Sequence, residues 1–225
     1  MKPDHWPHST PLLQLYNRTG AHSFAKRQAS TFWNGWENVQ YWFPFGDSYT
    51  STNFSILGAQ PDANNPLGNP PYPGATSADG PNYVDFLTRT YNQSYIQTYN
   101  FGYGGSTIDP ALVPSGFGPT IQSFEQQVND EFLPNYVNNT DVPWASSNTL
   151  FSVFFGINDV TNTMTAGDLG NDTLNYDLIK AYESLVDQVC PTRAAVPTFS
   201  AFLKLMAFSS MPLERAIFSS SKCPL

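Results

Sequence analysis

Three short apolar runs, each halted by glycine and separated by helix-patterned stretches, restrict this chain more than any other feature of its sequence. Val39–Phe45 (VQYWFPF) stops at Gly46, and Thr149–Phe155 (TLFSVFF) stops at Gly156. The weaker run Tyr95–Phe101 is followed by Gly102, Gly104 and Gly105. Short apolar runs bounded by turn residues suit buried strands. Pro44 sits awkwardly in the first, because it removes a ladder donor. Between the runs, Val84, Leu87 and Tyr91 follow Pro81, a good first-turn residue. Ile121, Phe124, Val128 and Phe132 fall at offsets 0, 3, 7 and 11, with Thr120 as a candidate N-cap. Leu174, Leu178, Ala181, Leu185 and Val189 repeat the helical period, with Asp172 placed to cap. Strands alternating with helices predict an α/β fold with a mostly parallel sheet. In such sheets ligands bind at the carboxyl ends of the strands, here just after Phe45, Phe101 and Phe155.

The 225 residues suit one domain with an appendage, and 40% hydrophobic content is enough for a core. No apolar run is long enough for a membrane-spanning helix. A net charge of -8, with ten scattered Lys and Arg, argues against a nucleic-acid partner. Charge is also uneven. Residues 1–189 carry 6 basic and 17 acidic residues, a net of -11. Residues 190–225 carry 4 basic residues and only Glu214, a net of +3. Both cysteines, Cys190 and Cys223, lie in this tail, which has no Gly, Asn, Asp, Tyr or Trp. It reads either as a basic extension or as sequence from another frame or an unspliced segment. Three divisions result: residues 1–35 as a poorly ordered extension, 36–189 as the domain, and 190–225 as an atypical tail. Five Asn-X-Ser/Thr triplets, at Asn17, Asn53, Asn92, Asn138 and Asn171, lean towards an extracellular glycoprotein. Met1–Arg18 nevertheless lacks the apolar core of an export signal.

Each strand end carries a chemical group. Gly46-Asp47-Ser48-Tyr49-Thr50 follows the first, Gly102-Tyr103-Gly104-Gly105-Ser106 the second, and Gly156-Ile157-Asn158-Asp159 the third. A serine beside a sharp glycine turn can present its hydroxyl over the sheet edge. A glycine-rich loop lets backbone N–H groups approach a developing oxyanion, and an Asn amide adds one more donor. These are the parts of acyl transfer. Any one of these tripeptides alone is an ordinary turn. Three in this order at successive strand ends are specific.

FGDSYT (Phe45–Thr50), NFGYGG (Asn100–Gly105) and GIND (Gly156–Asp159) resemble the first three blocks of the GDSL, or SGNH, hydrolases. NPLGNPPYPG (Asn65–Gly74) with GPNYVDFL (Gly80–Leu87) is similar to the fungal secreted acetylesterases of the carbohydrate-esterase group. The resemblance covers roughly residues 36–189. It implies a three-layer α/β/α sandwich, incomplete at its C-terminal side in this chain. Carried over block by block, Ser48 is the nucleophile and Gly104 lends a backbone N–H, with Gly105 its neighbouring candidate. Asn158 points its amide at the same oxyanion. Asp47 and Tyr72 join Gly105 as expected substrate contacts. The implied reaction is hydrolysis of a small ester, such as an acetylated oligosaccharide, through an acyl-serine with no metal and no organic cofactor.

The family's last block, Asp-X-X-His, has no counterpart. The only histidines are His5, His8 and His22, and no Asp follows Asp187. A serine hydroxyl without an adjacent base is a poor nucleophile. The expectation is an impaired esterase, with a non-catalytic carbohydrate-binding protein as the alternative. His22 would be a substitute base foreign to the family's chain order. His5 and His8 look like half a metal site without partners, more simply an unordered tail. Asp109 and Asp159 are expected to cap loops in solvent. Trp33, Trp36, Tyr72 and Tyr83 could stack on a sugar, although aromatics of an α/β domain usually belong to its core. Loss of the family's last strands would leave the third strand's outer edge bare, with residues 196–213 apolar enough to cover part of it as a short helix.

Overall fold

A computed structural model describes residues 35–168 and 170–189, together with the backbone of 219–221. His5, His8, His22, Trp33, Cys190, Cys223 and the segment 196–213 lie outside the described residues. So do nearly all of the expected extension and tail.

Among the described residues the sheet has four strands in the order β2-β1-β3-β4. Strand β1 (Tyr41–Gly46) lies between β2 (Gln97–Thr98) and β3 (Thr149–Phe154) and runs parallel to both. Tyr41 to Gly46 align with Thr149 to Phe154 without a break. The β2 side is shorter for a reason legible at Pro44. Tyr99 N–H donates to Trp42 O, Phe101 N–H to Pro44 O and Tyr103 N–H to Gly46 O, so rungs continue past Thr98. Pro44 has no N–H to return one. The outer edge of β3 is paired rather than bare. The three-residue β4 (Ser219–Ser221) runs antiparallel beside it, with Phe151 opposite Ser221. This corrects the expected uncovered edge over Phe151–Val153, the part of β3 that the three residues reach.

Alternation along the strands sends side chains to two faces. Phe43, Phe45, Phe151 and Val153 join Phe124, Val128, Phe132, Tyr136, Leu178 and Leu185 in the larger core. Trp42 joins Val39, Val84 and Ile96 in a smaller one on the opposite face. Helices therefore cover both sides, the layered α/β arrangement that the sequence implies.

Helix α1 (Tyr83–Arg89) starts at Asn82 rather than Pro81. Asn82 accepts from Val84 and Asp85 N–H while Asp85 caps back, a reciprocal capping box. Val84 is buried, but Tyr91 lies beyond the helix and is exposed, since Thr90 ends it. The second helical pattern begins at Phe124, with Ser123 and not Thr120 as its cap. It runs as α2 (Phe124–Gln126), a π-helical stretch Gln127–Phe132 and α3 (Leu133–Tyr136). The wider turn keeps Phe124, Val128 and Phe132 all buried. Helix α4 (Ile157–Ala166) is not foreseen by the apolar pattern. Helix α5 (Asp172–Val189) buries Leu178, Leu185 and Val189 as its period predicts, keeps Leu174 and Ala181 partly buried, and buries Val186 in addition. Its cap is Asn171, whose Oδ1 accepts the Leu174 N–H at 3.2 Å, so Asp172 is the first helical residue instead. No described helix is long and apolar enough to cross a membrane.

Candidate active site

The turn that carries Ser48 is built by the residues around it. Asp47 O accepts from both Thr50 and Ser51 N–H, closing a single tight turn directly after β1. Asp47 itself is fully buried, and its Oδ1 accepts the Tyr49 N–H at 3.0 Å. Gly46 cannot carry a side chain here: a Cβ would lie 2.1 Å from Thr50 Oγ1. Two buried amides hold the far side of the turn. Asn82 Nδ2 donates to Thr50 O and Ser51 O, and Asn100 Nδ2 donates to Thr50 O at 2.8 Å and Thr52 Oγ1 at 3.0 Å. Ser48 is left half-buried at the top, with neither its N–H nor its hydroxyl engaged by any described residue. The turn is not the start of a helix, so backbone dipoles of a helix N-terminus do not reach Ser48 from its own segment.

The glycine-rich loop is drawn to the same place. Tyr103 N–H donates to Gly46 O at 2.9 Å, which puts Gly104 beside the Ser48 turn. Gly104 faces open space, and its N–H and that of Gly105 have no partner among the described residues. Gly105 has φ +83, and an added Cβ would meet the Phe117 ring at 2.8 Å. Its carbonyl accepts the Ser115 hydroxyl at 2.9 Å. Substitution at Gly105 is thus opposed both by backbone strain and by space.

The third group arrives on α4. Gly156 makes the turn with φ 126, which sets Asn158 and Asp159 in the first helical turn. Asn158 Nδ2 donates to Ser106 O at 2.8 Å, leaving its second N–H unassigned. Asp159 is buried, and its Oδ1 accepts the Ile108 N–H at 3.0 Å. The expected solvated loop cap therefore applies to Asp109, which holds the Ala111 N–H, and not to Asp159. Burial pushes the Asp47 and Asp159 carboxyls up to about 6, against the lowering effect of those N–H groups. The negative charge of Asp47 raises Asp159 further.

Ser48 opens onto a cavity of about 420 Å³ lined with Tyr49, Ser77, Ala78, Asn82, Tyr83 and Phe154. Tyr83 is the wall that the sequence offered only as one aromatic among several. Its hydroxyl meets Thr50 Oγ1 at 2.9 Å, and burial pushes the phenol up to about 12, so it stays protonated. Tyr72 is not part of that lining. Its ring lies under the Arg89 guanidinium, 4.2 Å from the centroid. Asp47 is likewise absent from the lining and holds the turn from within. Trp36 packs edge-on against Trp42 and belongs to the smaller core. Sequence reasoning passes over Phe117, whose exposed ring shields Gly105, and over Tyr49 as a cavity wall. A lone aromatic in a glycine-proline loop gives no periodic signal.

The three strand-end groups that the sequence singles out thus converge on one sheet edge. The family model for GDSL-like lipases and acylhydrolases matches residues 43–206. This chain belongs to that family. The GDSL match takes in all three blocks and continues past Val189. A curated acetylesterase from Thermothelomyces thermophilus is 40% identical over 146 residues, covering 64% of this chain and 47% of that protein. The chain spans about half the length of the curated relative it matches. Among the described residues no group of three or more His, Cys, Asp or Glu is arranged to hold a metal ion.

Proposed function

We propose that the chain is the acyl-serine half of an acetylesterase acting on small esters, with acetylated carbohydrate as its substrate class. One observation carries this reading: Ser48 opens onto a cavity, its turn is tied to the glycine loop by Tyr103 N–H on Gly46 O, and Asn158 is tied to that loop through Ser106 O, which leaves three uncommitted donors on these linked segments, the Ser48 and Gly104 N–H groups and the second N–H of Asn158. Attack of Ser48 Oγ on the ester carbonyl places the developing negative charge among those donors. Pre-placed donors of this kind stabilise the tetrahedral intermediate without reorganising during the step. The alcohol then leaves, and water releases acetate from the acyl-serine.

The proton of Ser48 needs an acceptor, and no imidazole lies among the described residues, since the three histidines all precede Gly35. Turnover by the chain on its own is therefore slow. Removing the histidine of a serine triad costs up to about 10⁶ in kcat, with about 10³–10⁴ over water retained by the oxyanion site and binding. Asn53, Asn138 and Asn171 are exposed, which supports an extracellular, glycosylated product.

Aryl acetate hydrolysis with and without imidazole in the buffer tests the assignment. The expected result, once imidazole's own hydrolysis of the ester without protein is subtracted, is a slow rate raised by imidazole, an acetylated Ser48 peptide in the mass spectrum, and loss of both in Ser48→Ala. An equal imidazole-dependent rate in Ser48→Ala sinks it. The intact cavity without a described base favours one second reading, a carbohydrate-binding protein. Calorimetric binding of acetylated xylo-oligosaccharides with no acetate released, even with imidazole, selects that reading.

A further inference from the structure

The cradle is assembled from three separate strand ends, and hydrogen bonds of the sheet do not reach its far corner. The N–H of Gly46 points to the β2 side, where Tyr103 N–H reaches Gly46 O but no backbone carbonyl takes the Gly46 N–H in return. That N–H is satisfied by a side chain instead. Gly46 donates to Gln127 Oε1 at 3.1 Å, and Gln127 Nε2 donates back to Gly46 O at 2.9 Å. The glutamine amide stands in for the strand carbonyl that Gly46 N–H lacks and adds a second donor to Gly46 O beside Tyr103 N–H. The second N–H of the same amide donates to Ser106 Oγ at 3.1 Å. Ser106 in turn bonds Tyr103 O at 2.6 Å and contacts Gln122 O through its hydroxyl, and its carbonyl receives the Asn158 amide.

We infer that Gln127 is the positioning residue of the cradle: one buried amide that fixes the Ser48 strand end and, through Ser106, the glycine loop and Asn158. This extends the acyl-serine reading and rests on it. Gln127 is fully buried, and its three hydrogen-bonding capacities used here account for the whole amide except one lone pair. Its place in the fold is unusual in the same way. It is the first residue of the π-helical stretch, whose wider turn is closed by Leu133 N–H on Val128 O. An α-helical turn would advance Val128 and Phe132 by a different angle relative to Gln127. The π turn keeps both in the core while Gln127 faces the strand end. Such local widening often accompanies functional positions.

The variants are Gln127→Met, which fills similar volume without hydrogen bonds, and Gln127→Glu. Both are measured in the full chain with imidazole supplied, and the Ser48→Ala rate is subtracted. In Gln127→Met the Ser48-dependent kcat falls about 10- to 100-fold with KM within about twofold, because misplacement of reacting groups by a fraction of an ångström carries penalties of that size. In Gln127→Glu a buried carboxylate accepts from Gly46 but cannot donate to Gly46 O or Ser106 Oγ. As pH falls and the carboxyl takes a proton, one donor returns. The ratio of its rate to that of the unaltered protein therefore climbs about fivefold or more between about pH 8 and 5. Taking the ratio cancels the titration of imidazole, Asp47 and Asp159. A Gln127→Met kcat within twofold, a change in KM alone, or a flat ratio in Gln127→Glu overturns the inference. If the unaltered protein shows no Ser48-dependent turnover at all, the acylhydrolase reading fails. The inference is then decided by NMR of Gln127→Met. Shifted side-chain amide signals of Asn158 together with the Gly46 N–H support it, and a change confined to Gly46 overturns it.

Discussion

The two faces of the central sheet are packed to very different depths. On one, Phe43 alone stacks or meets edge-on with Tyr99, Phe101, Phe132, Tyr136, Trp144 and Phe151 at 5.3–6.3 Å. On the other, Trp42 has Trp36 and Tyr83 beside it and gives its indole N–H to Ser152 at 2.9 Å. That smaller core has five buried hydrophobic residues, of which α1 supplies Val84, and the cavity beside Ser48 opens where it ends. Stability and access are therefore divided between faces. The dense side sets the strand ends in place, and the thin side leaves room at the hydroxyl.

The division can be broken most directly at Phe43. Phe43→Ala is expected to cost about 3–5 kcal/mol, the usual loss for a fully buried phenylalanine. A urea denaturation series measures it, and a loss under about 1 kcal/mol would mean the dense face does not carry the fold.

A smaller effect is expected at the strand ends where the faces meet. The folded carboxyls of Asp47 and Asp159 titrate near 6, above the reference value of 3.8. A raised carboxyl favours the folded state below the unfolded value, and that contribution disappears as pH rises through the folded one. The window runs from 3.8 to about 6. Each group accounts for about 2–3 kcal/mol over it. Thermal midpoints should fall between about pH 4 and 7, and Asp159→Asn should flatten part of the slope. A midpoint that rises across this range in the unaltered protein contradicts the burial of these groups.

The smallest expected change belongs to the thin face. Tyr83→Phe removes the hydroxyl that meets Thr50 Oγ1 and should cost about 0.5–1.5 kcal/mol. Its effect on ligand affinity in calorimetry should exceed what this small loss of stability implies. Equal effects on both would place Tyr83 in the core alone.

How far the sequence foretells all this depends on whether apolar spacing records the feature. Strands β1 and β3 are visible as runs of large apolar residues, and α5 as a clean period ending at Val189. The three blocks are visible because glycine, serine and asparagine occur together at strand ends. Helix α4 is hidden because INDVTNTMTA is polar and β-branched, so its form follows from Gly156 and from Asp159 docking on Ile108. Gln127 is hidden differently. It lies between Phe124 and Val128 in a pattern that marks its neighbours, and a polar residue there looks like the solvent side of the helix. Only the π turn reveals that it points inward. Tyr72 shows the opposite case, since its place in the loop after Ser48 gives no sign that its ring lies under the Arg89 guanidinium.

Pro44 has a last consequence. The seam between β1 and the segment leading to Gly104 is stitched from one side only at that position, while the seam between β1 and β3 is complete from Tyr41 to Gly46. When the sheet begins to come apart, the incomplete seam yields first, so the Ser48 hydroxyl and the glycine-rich loop part company while the β1–β3 pair still holds together. Loss of chemical competence would then precede global melting, and amide protons of Tyr99 and Phe101 would exchange ahead of those in the β1–β3 ladder.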